Sequence, residues 1–191
     1  MYNKNTSYEF IISEIDKLQS IIYDNNINIK IHPGAEVFFN YNLLEILENP
    51  ITTIGNGKYM LVEFQTFQFP EDYDQTLYEL ALSGVTPIIA HPERYKGVQN
   101  NINIIEKLVD SGCLMQLDAG SLLGHFGDKC KDISFKMMEY RMIHFIGSDA
   151  HNDKKRCFCL GDIVGNIDNS NFPNIKQIIY DNPLKLIAGD S

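Results

Sequence analysis

Short, almost wholly apolar segments alternate along this chain with longer ones whose apolar residues recur every three or four positions. That alternation constrains the fold more than any other feature. Tyr8 to Asp24 carries Phe10, Ile11, Ile15, Leu18, Ile21 and Ile22 on one stripe, the pattern of an amphipathic helix. Ile27 to Ile31 alternates as a strand, and Pro33-Gly34 break it just before Glu36. A short helix around Leu43 to Leu47, a turn at Gly55-Asn56-Gly57 and the strand Tyr59 to Glu63 follow. The pattern then repeats. Helix Tyr73 to Ser83 stops at Gly84 before strand Thr86 to Ala90. Helix Ile102 to Ser111 stops at Gly112 before strand Cys113 to Leu117, and helix Asp132 to Arg141 precedes strand Ile143 to Ile146. A weaker helical tail runs from Ile175 to Ala188, interrupted by Pro183. Apolar strands alternating with capped helices predict βα units around a parallel sheet, either a barrel or an open sheet, with strands buried on both faces.

Against that background the charged strand ends stand out. The segments VTPIIAHPERY (Val85 to Tyr95) and MIHFIGSDAHN (Met142 to Asn152) pass abruptly from apolar residues to charged and imidazole side chains. Glu36, Glu63, His91, Asp149 and His151 all fall where a predicted strand gives way to a loop. The rim of a parallel α/β barrel uses such positions for catalysis or metal binding. Carboxylate and imidazole together suit divalent ions such as manganese, iron, zinc or nickel. A two-metal site would stabilise both the attacking and the leaving oxygen in phosphoester hydrolysis. Asp149-Ala-His151 is the most compact signal, since residues two apart on an extended segment face the same way. Taken singly, each residue has a plainer reading, as a helix N-cap, a solvated loop residue or a satisfied rim histidine.

The chain has three arginines, and Arg94 and Arg156 follow His91 and His151 by three and five residues. Their planar forks pair bidentately with phosphate oxygens, the alternative being surface salt bridges. Arg141 falls on a predicted helix. His32, His125 and His144 read as structural. A cysteine-based phosphatase needs Cys-x5-Arg, and no cysteine here has an arginine six residues on. There is no Walker loop or GxGxxG, and Gly120-Ser121-Leu122-Leu123-Gly124 has the wrong spacing for a nucleophile elbow.

With 191 residues the chain suits one domain, 1–191, with a real core. Its net charge of -9 argues against nucleic acid and anionic membrane surfaces, so an anionic substrate must be drawn in by local charge from metals or arginines. No apolar run reaches the roughly 18 residues of a membrane span. Cys113, Cys130, Cys157 and Cys159 show neither a disulfide framework nor a zinc ribbon, and reduced thiols in a cytoplasmic protein are expected.

The stretches HPGAEVFFN, KYMLVEF, VTPIIAHPERY, LMQLDAGSLLGHFG, HFIGSDAHN and NPLKLIAG resemble, in order, those of the manganese-dependent protein-tyrosine phosphatases of bacterial capsule and exopolysaccharide loci. These belong to the polymerase-and-histidinol-phosphatase (PHP) superfamily. The resemblance implies a distorted (β/α)7 barrel with a manganese centre of two or three ions at the strand C-termini. It matches Glu36, Glu63, His91, Asp149 and His151 to metal ligands, and Arg94 and Arg156 to the catalytic, phosphate-binding arginines. The implied reaction is attack by a metal-activated hydroxide on the phosphorus of phosphotyrosine. The implied partner is the phosphotyrosine tail of a bacterial tyrosine kinase that controls polysaccharide export.

One departure accompanies the match. The family opens with a strand carrying His-x-His, an aspartate and a second strand ending in histidine, and this sequence starts at the helix that follows. The expectation is an incomplete PHP-type barrel lacking its first βαβ unit, about 40 residues. Its exposed sheet edges would invite homo-oligomerisation. Two other readings stand beside the phosphatase: a PHP phosphoesterase of a small metabolite such as histidinol phosphate, and a non-catalytic remnant that binds the kinase.

Overall fold

The structure, a computed structural model, describes residues 7–166, 172 and 174–190. Five strands form one all-parallel sheet in sequential order: β1 (Glu36–Phe38), β2 (Tyr59–Glu63), β3 (Thr86–Ala90), β4 (Leu114–Asp118) and β5 (Phe145–Gly147). Sequential parallel order is the arrangement of a (β/α) barrel, in which each strand returns beside its predecessor through a helical crossover. The helices are α1 (Tyr8–Asp24), α2 (Tyr73–Leu82), α3 (Lys96–Asn100), α4 (Asn103–Asp110), α5 (Ala119–Leu123), α6 (Asp128–Glu139), α7 (Leu160–Asn166) and α8 (Asn182–Ala188). The expected α/β class and parallel sheet are found.

The two faces of the sheet differ in chemistry, because successive side chains alternate across a strand. Met60, Val62, Ile89, Met115, Leu117 and Ile146 face the helices and belong to the main core, all buried. On the opposite face a smaller cluster of Tyr59, Ile88 and Phe145 packs with Leu61, Leu114 and Leu186. The register places Glu36, Leu61, Ile88 and Leu114 in one row. Phe38 and Glu63 share the next row up, and Asp118 aligns with Gly147 higher still. This face is therefore apolar at its base and charged toward the C-terminal ends of the strands. Helix α8 covers the base: Leu186 joins the cluster, Tyr59 Oη donates to the Asp190 carbonyl (2.8 Å) and Asn182 Nδ2 to the His144 carbonyl (2.7 Å).

Several boundaries depart from expectation, each for a local reason. Ile27–Ile31 is not a strand. Its rungs go to a side chain, for Gln19 Nε2 donates to the Ile29 carbonyl and Gln19 Oε1 accepts from Ile31 N, both at 2.9 Å. Glu36 accordingly begins β1 instead of ending a strand. The short helix expected around Leu43 to Leu47 is a 3-10 helix over Glu45–Glu48. Helix α6 starts four residues before Asp132, at Asp128, and Arg141 lies beyond its end at φ 57°. Pro183 does not break the tail: a π-helical turn over Gln177–Asp181 runs directly into α8, and Pro183 sits in the first turn of that helix. Gly84 and Gly112 do stop their helices, at φ 89° and 90°, a region that side chains rarely enter.

Helix α1 is capped by Ser7, whose Oγ accepts from Phe10 N at 3.3 Å, yet none of its residues is buried. Among the described residues β1 pairs on one side only, with β2. No described helix is long and apolar enough to cross a membrane. Cys113, Cys130, Cys157 and Cys159 are all free thiols.

Candidate metal and phosphate site

The site is assembled from the ends of four strands. Glu63 is the last residue of β2, and His91 follows β3 directly. Glu36 starts β1 lower on the sheet, but its side chain is long enough to reach the same point: its Oε1 lies 2.9 Å from His91 Nε2. Glu63 Oε1 is 3.5 Å from the same nitrogen. Glu36, Glu63 and His91 each present a ligand atom within 4.8 Å of the others, the one such group among the described residues.

Two carboxylates and an imidazole this close make a mixed oxygen and nitrogen donor set that suits a divalent ion. Their proton affinities point the same way. Burial, and then the Glu36 charge, push the Glu63 carboxyl above its ordinary value. Burial, the largest influence, pulls His91 down, but the hydrogen bond to Glu36 and the charges of Glu36 and Glu93 together outweigh it and the net shift is upward. Negative charge is thus crowded here and relieved by protons. A cation would relieve it better, so the residues present fit a metal. His91 Nδ1 is buried and has no hydrogen-bond partner.

Backbone strain marks the same region. His91 and Asp149 have φ values of 33° and 45°, left-handed for residues with a Cβ. After His91 the chain makes one 3-10 turn, Pro92–Arg94. Tyr95, wholly buried, holds the start of this turn: its Oη donates to the Ala90 carbonyl (2.7 Å) and accepts from Phe64 N (2.9 Å). One phenol therefore ties together the chain just past Glu63 and the chain just before His91.

Arg94 and Arg156 converge on one carboxylate. Arg94 Nη1 donates to Asp149 Oδ2 at 2.7 Å, and Arg156 Nη2 donates to the same oxygen. Asn152 folds the intervening loop, its Oδ1 accepting from the backbone N–H groups of Lys154, Lys155 and Arg156. The loop closes where the Arg156 carbonyl accepts from His151 N at 2.8 Å. His151 is half exposed, with Nδ1 2.9 Å from the Asp149 carbonyl and 3.6 Å from Asp149 Oδ1.

The structure thus brings Glu36, Glu63 and His91 into one group and Asp149, Arg94 and Arg156 into a second. His151 sits at the edge of the second group. The two groups feel one another, because the charges of Arg94 and Asp149 both act on Glu63. His32 and His125 are exposed, whereas His144 has a structural role, its Nδ1 accepting from Met115 N at 3.1 Å.

Three neighbours of Arg94 were not anticipated. Asp118, buried at the end of β4, lies 3.4 Å from Arg94 Nη1 and caps α5 by accepting from Gly120 N at 2.7 Å. Phe126 lies under the guanidinium, 4.6 Å from ring centroid to carbon. Glu93 is wholly buried beneath the turn, and burial pushes its carboxyl up to about 7. Asp118 obeys the same rule that singled out Glu63, a carboxylate closing an apolar strand, and escaped only because that strand was ended one residue early. Nothing in the sequence marks Glu93 as buried.

Fold and site together define a parallel α/β protein whose strand ends gather an imidazole, carboxylates and two arginines, a composition able to hold a divalent cation beside a phosphate. The match to known proteins is more particular. The model of the capsular polysaccharide synthesis family CpsB/CapC matches residues 1–188, and the chain belongs to that family. It is 34% identical over 148 residues to the Staphylococcus aureus putative tyrosine-protein phosphatase CapC, covering 77% of this chain and 58% of that protein. It is also 34% identical over 144 residues to the Bacillus subtilis (strain 168) tyrosine-protein phosphatase YwqE, covering 75% and 57%. Among solved structures it is similar to one reported with the metal-dependent tyrosine phosphatases YwqE of Bacillus subtilis and CpsB of Streptococcus pneumoniae. There the TM-score is 0.82 at 28% identity, over 96% of this chain and 74% of that one. The chain spans less than three fifths of the length of the first two relatives.

Proposed function

We propose that this chain is a metal-dependent phosphotyrosine phosphatase acting on a bacterial tyrosine kinase in capsule synthesis, in the cytoplasm. The observation that carries this reading is the meeting of Arg94 and Arg156 at Asp149, beside the group formed by Glu36, Glu63 and His91. Glu36, Glu63 and His91 would hold the metal, manganese by the family resemblance, with Asp149 and His151 turning toward it from the neighbouring loop. A bound divalent ion supplies Lewis acidity and lowers the pKa of water.

The other steps belong to the chain's own residues. Arg94 and Arg156 receive the phosphate oxygens in bidentate fashion and steady the charge that grows on them as the ester bond breaks. In a protein of net charge -9, these two forks supply the local positive field that draws in a phosphoester. Asp149 keeps the two guanidinium groups together until substrate arrives. Phe126 and Asp118 flank Arg94 and limit its rotamers.

The test is manganese content and phosphotyrosine-peptide hydrolysis, measured together on this chain. Bound manganese with turnover supports the reading; neither one defeats it for this chain. In the same assay Arg94→Ala should lower turnover on the order of 100-fold, the loss of charge-assisted hydrogen bonds to phosphate, and leave manganese content intact. Loss of metal in that variant would mean Arg94 serves the cation site instead.

A further inference from the structure

Glu93 and Arg94 are consecutive residues whose side chains seize the same neighbour from two directions. Arg94 Nη1 approaches the Asp118 carboxylate, 3.4 Å from Oδ2. Glu93 Oε1 accepts from the Asp118 backbone N–H at 3.2 Å and from Ser121 Oγ, one turn into α5, at 2.6 Å. The Glu93 carbonyl is engaged too, accepting from Gln99 Nε2 at 2.9 Å. Glu93 is 0% exposed, and its second oxygen, Oε2, has no partner. Burying a carboxyl with one oxygen unsatisfied is costly, and an apolar residue of similar size would fill the space without that cost.

What the carboxyl supplies is a fixed distance between the turn after β3 and the end of β4. That turn needs fixing. It begins at His91 with φ 33°, a conformation that persists only when its surroundings over-determine it. Tyr95 secures the turn to the ends of β2 and β3, and Glu93 secures it to β4 and α5.

We infer that Glu93 is a positioning residue, a buried clasp on Asp118 and Ser121 that aims Arg94 at the phosphate and holds His91 in its strained turn. The inference rests on the phosphate-binding role proposed for Arg94. Its test reads Arg94 directly, so failure of the clasp and failure of that role are told apart.

In the 15N-labelled full chain, the Nε–Hε resonances of Arg94, Arg141 and Arg156 are followed in wild type, Glu93→Gln, Glu93→Ala and Ser121→Ala, with inorganic phosphate as the titrant. Glu93→Gln keeps an oxygen for both donors and should preserve the Arg94 resonance and the phosphate affinity. Glu93→Ala should move the Arg94 resonance to a solvent-exchanging position, leave Arg156 in place and weaken phosphate binding about tenfold, the lower end for loss of a supporting partner. Ser121→Ala should shift Arg94 in the same direction by less, and it decides the matter if Glu93→Ala does not fold. An unchanged Arg94 resonance in the alanine variants overturns the inference, as does equal damage from Glu93→Gln and Glu93→Ala. A wild type that ignores phosphate while Arg94 still responds to Glu93→Ala upholds the clasp and defeats the phosphate role.

Discussion

Asp149 and Arg94 form an ion pair within the second group of the site, Oδ2 to Nη1 at 2.7 Å, and Arg156 donates to the same oxygen from the other side. Under the proposed function a phosphate oxygen would compete with this carboxylate for the two guanidinium groups. Asp149 is also the residue matched to a metal ligand. Were Asp149 to serve both roles, the two would conflict unless it changed partners on binding of a cation and a phosphate.

The first prediction follows from that conflict. In metal-free solution Asp149→Asn removes the competing charge, and inorganic phosphate should bind about tenfold tighter, since a charge-assisted bond is worth roughly 1.5–3 kcal/mol before competition is subtracted. In manganese the same variant should lose phosphotyrosine hydrolysis. Calorimetric phosphate titration in chelator, beside an activity assay, checks both signs. Unchanged activity would defeat the assignment of Asp149 to the site.

Manganese binding should release protons and weaken as pH falls. Burial and the Glu36 charge raise Glu63, while the Glu36 hydrogen bond raises His91 against the opposing effect of burial. Both groups hold protons to higher pH than usual, and a metal must displace them. Calorimetry in two buffers of different ionisation enthalpy would measure that release. Glu36→Gln should weaken manganese binding about 10–100-fold and reduce the release. Affinity independent of pH would remove His91 and Glu63 from the ligand set.

Tyr95→Phe should destabilise the fold by about 1–3 kcal/mol, because it strands both the Phe64 N–H and the Ala90 carbonyl in the core. Phe fills the same volume, so packing contributes little. Urea denaturation gives the number. A neutral result would mean that the two backbone groups find other partners.

Stability should also fall with acid through His144. Burial lowers its pKa, and Nδ1 accepts from Met115 N, so protonation costs both solvation and a hydrogen bond. The folded protein then binds fewer protons than the unfolded chain, whose imidazole titrates near about 6.5. The His144 contribution is complete above that value, begins to be lost as pH drops below it, and is gone once pH passes the lowered folded value. Urea midpoints at pH 7.5 and 5 should separate less in His144→Asn than in wild type. Equal separation would place the acid sensitivity elsewhere.

Much of this was legible in the sequence, where local chemistry decides. Helix α1 and strands β2 and β3 lie where periodicity put them, because an amphipathic stripe and an apolar run state their own period. Glu63 and His91 were legible as charged residues closing apolar strands. The register of Ile27–Ile31 was not, because Gln19, a residue 10–12 positions away, takes the hydrogen bonds a strand partner would have taken.

By itself the sequence determined the α/β class, the parallel order implied by alternating elements, and the residue types gathered at strand ends. These follow from side-chain period and from glycines and prolines acting on their own backbone. Only the tertiary structure decided that Glu36 reaches His91 from the start of a strand, that Asp149 lies between two arginines, and that Glu93 is buried while its neighbour Arg94 is not. Such facts depend on which distant segments meet, and distance along the chain carries no record of distance in space.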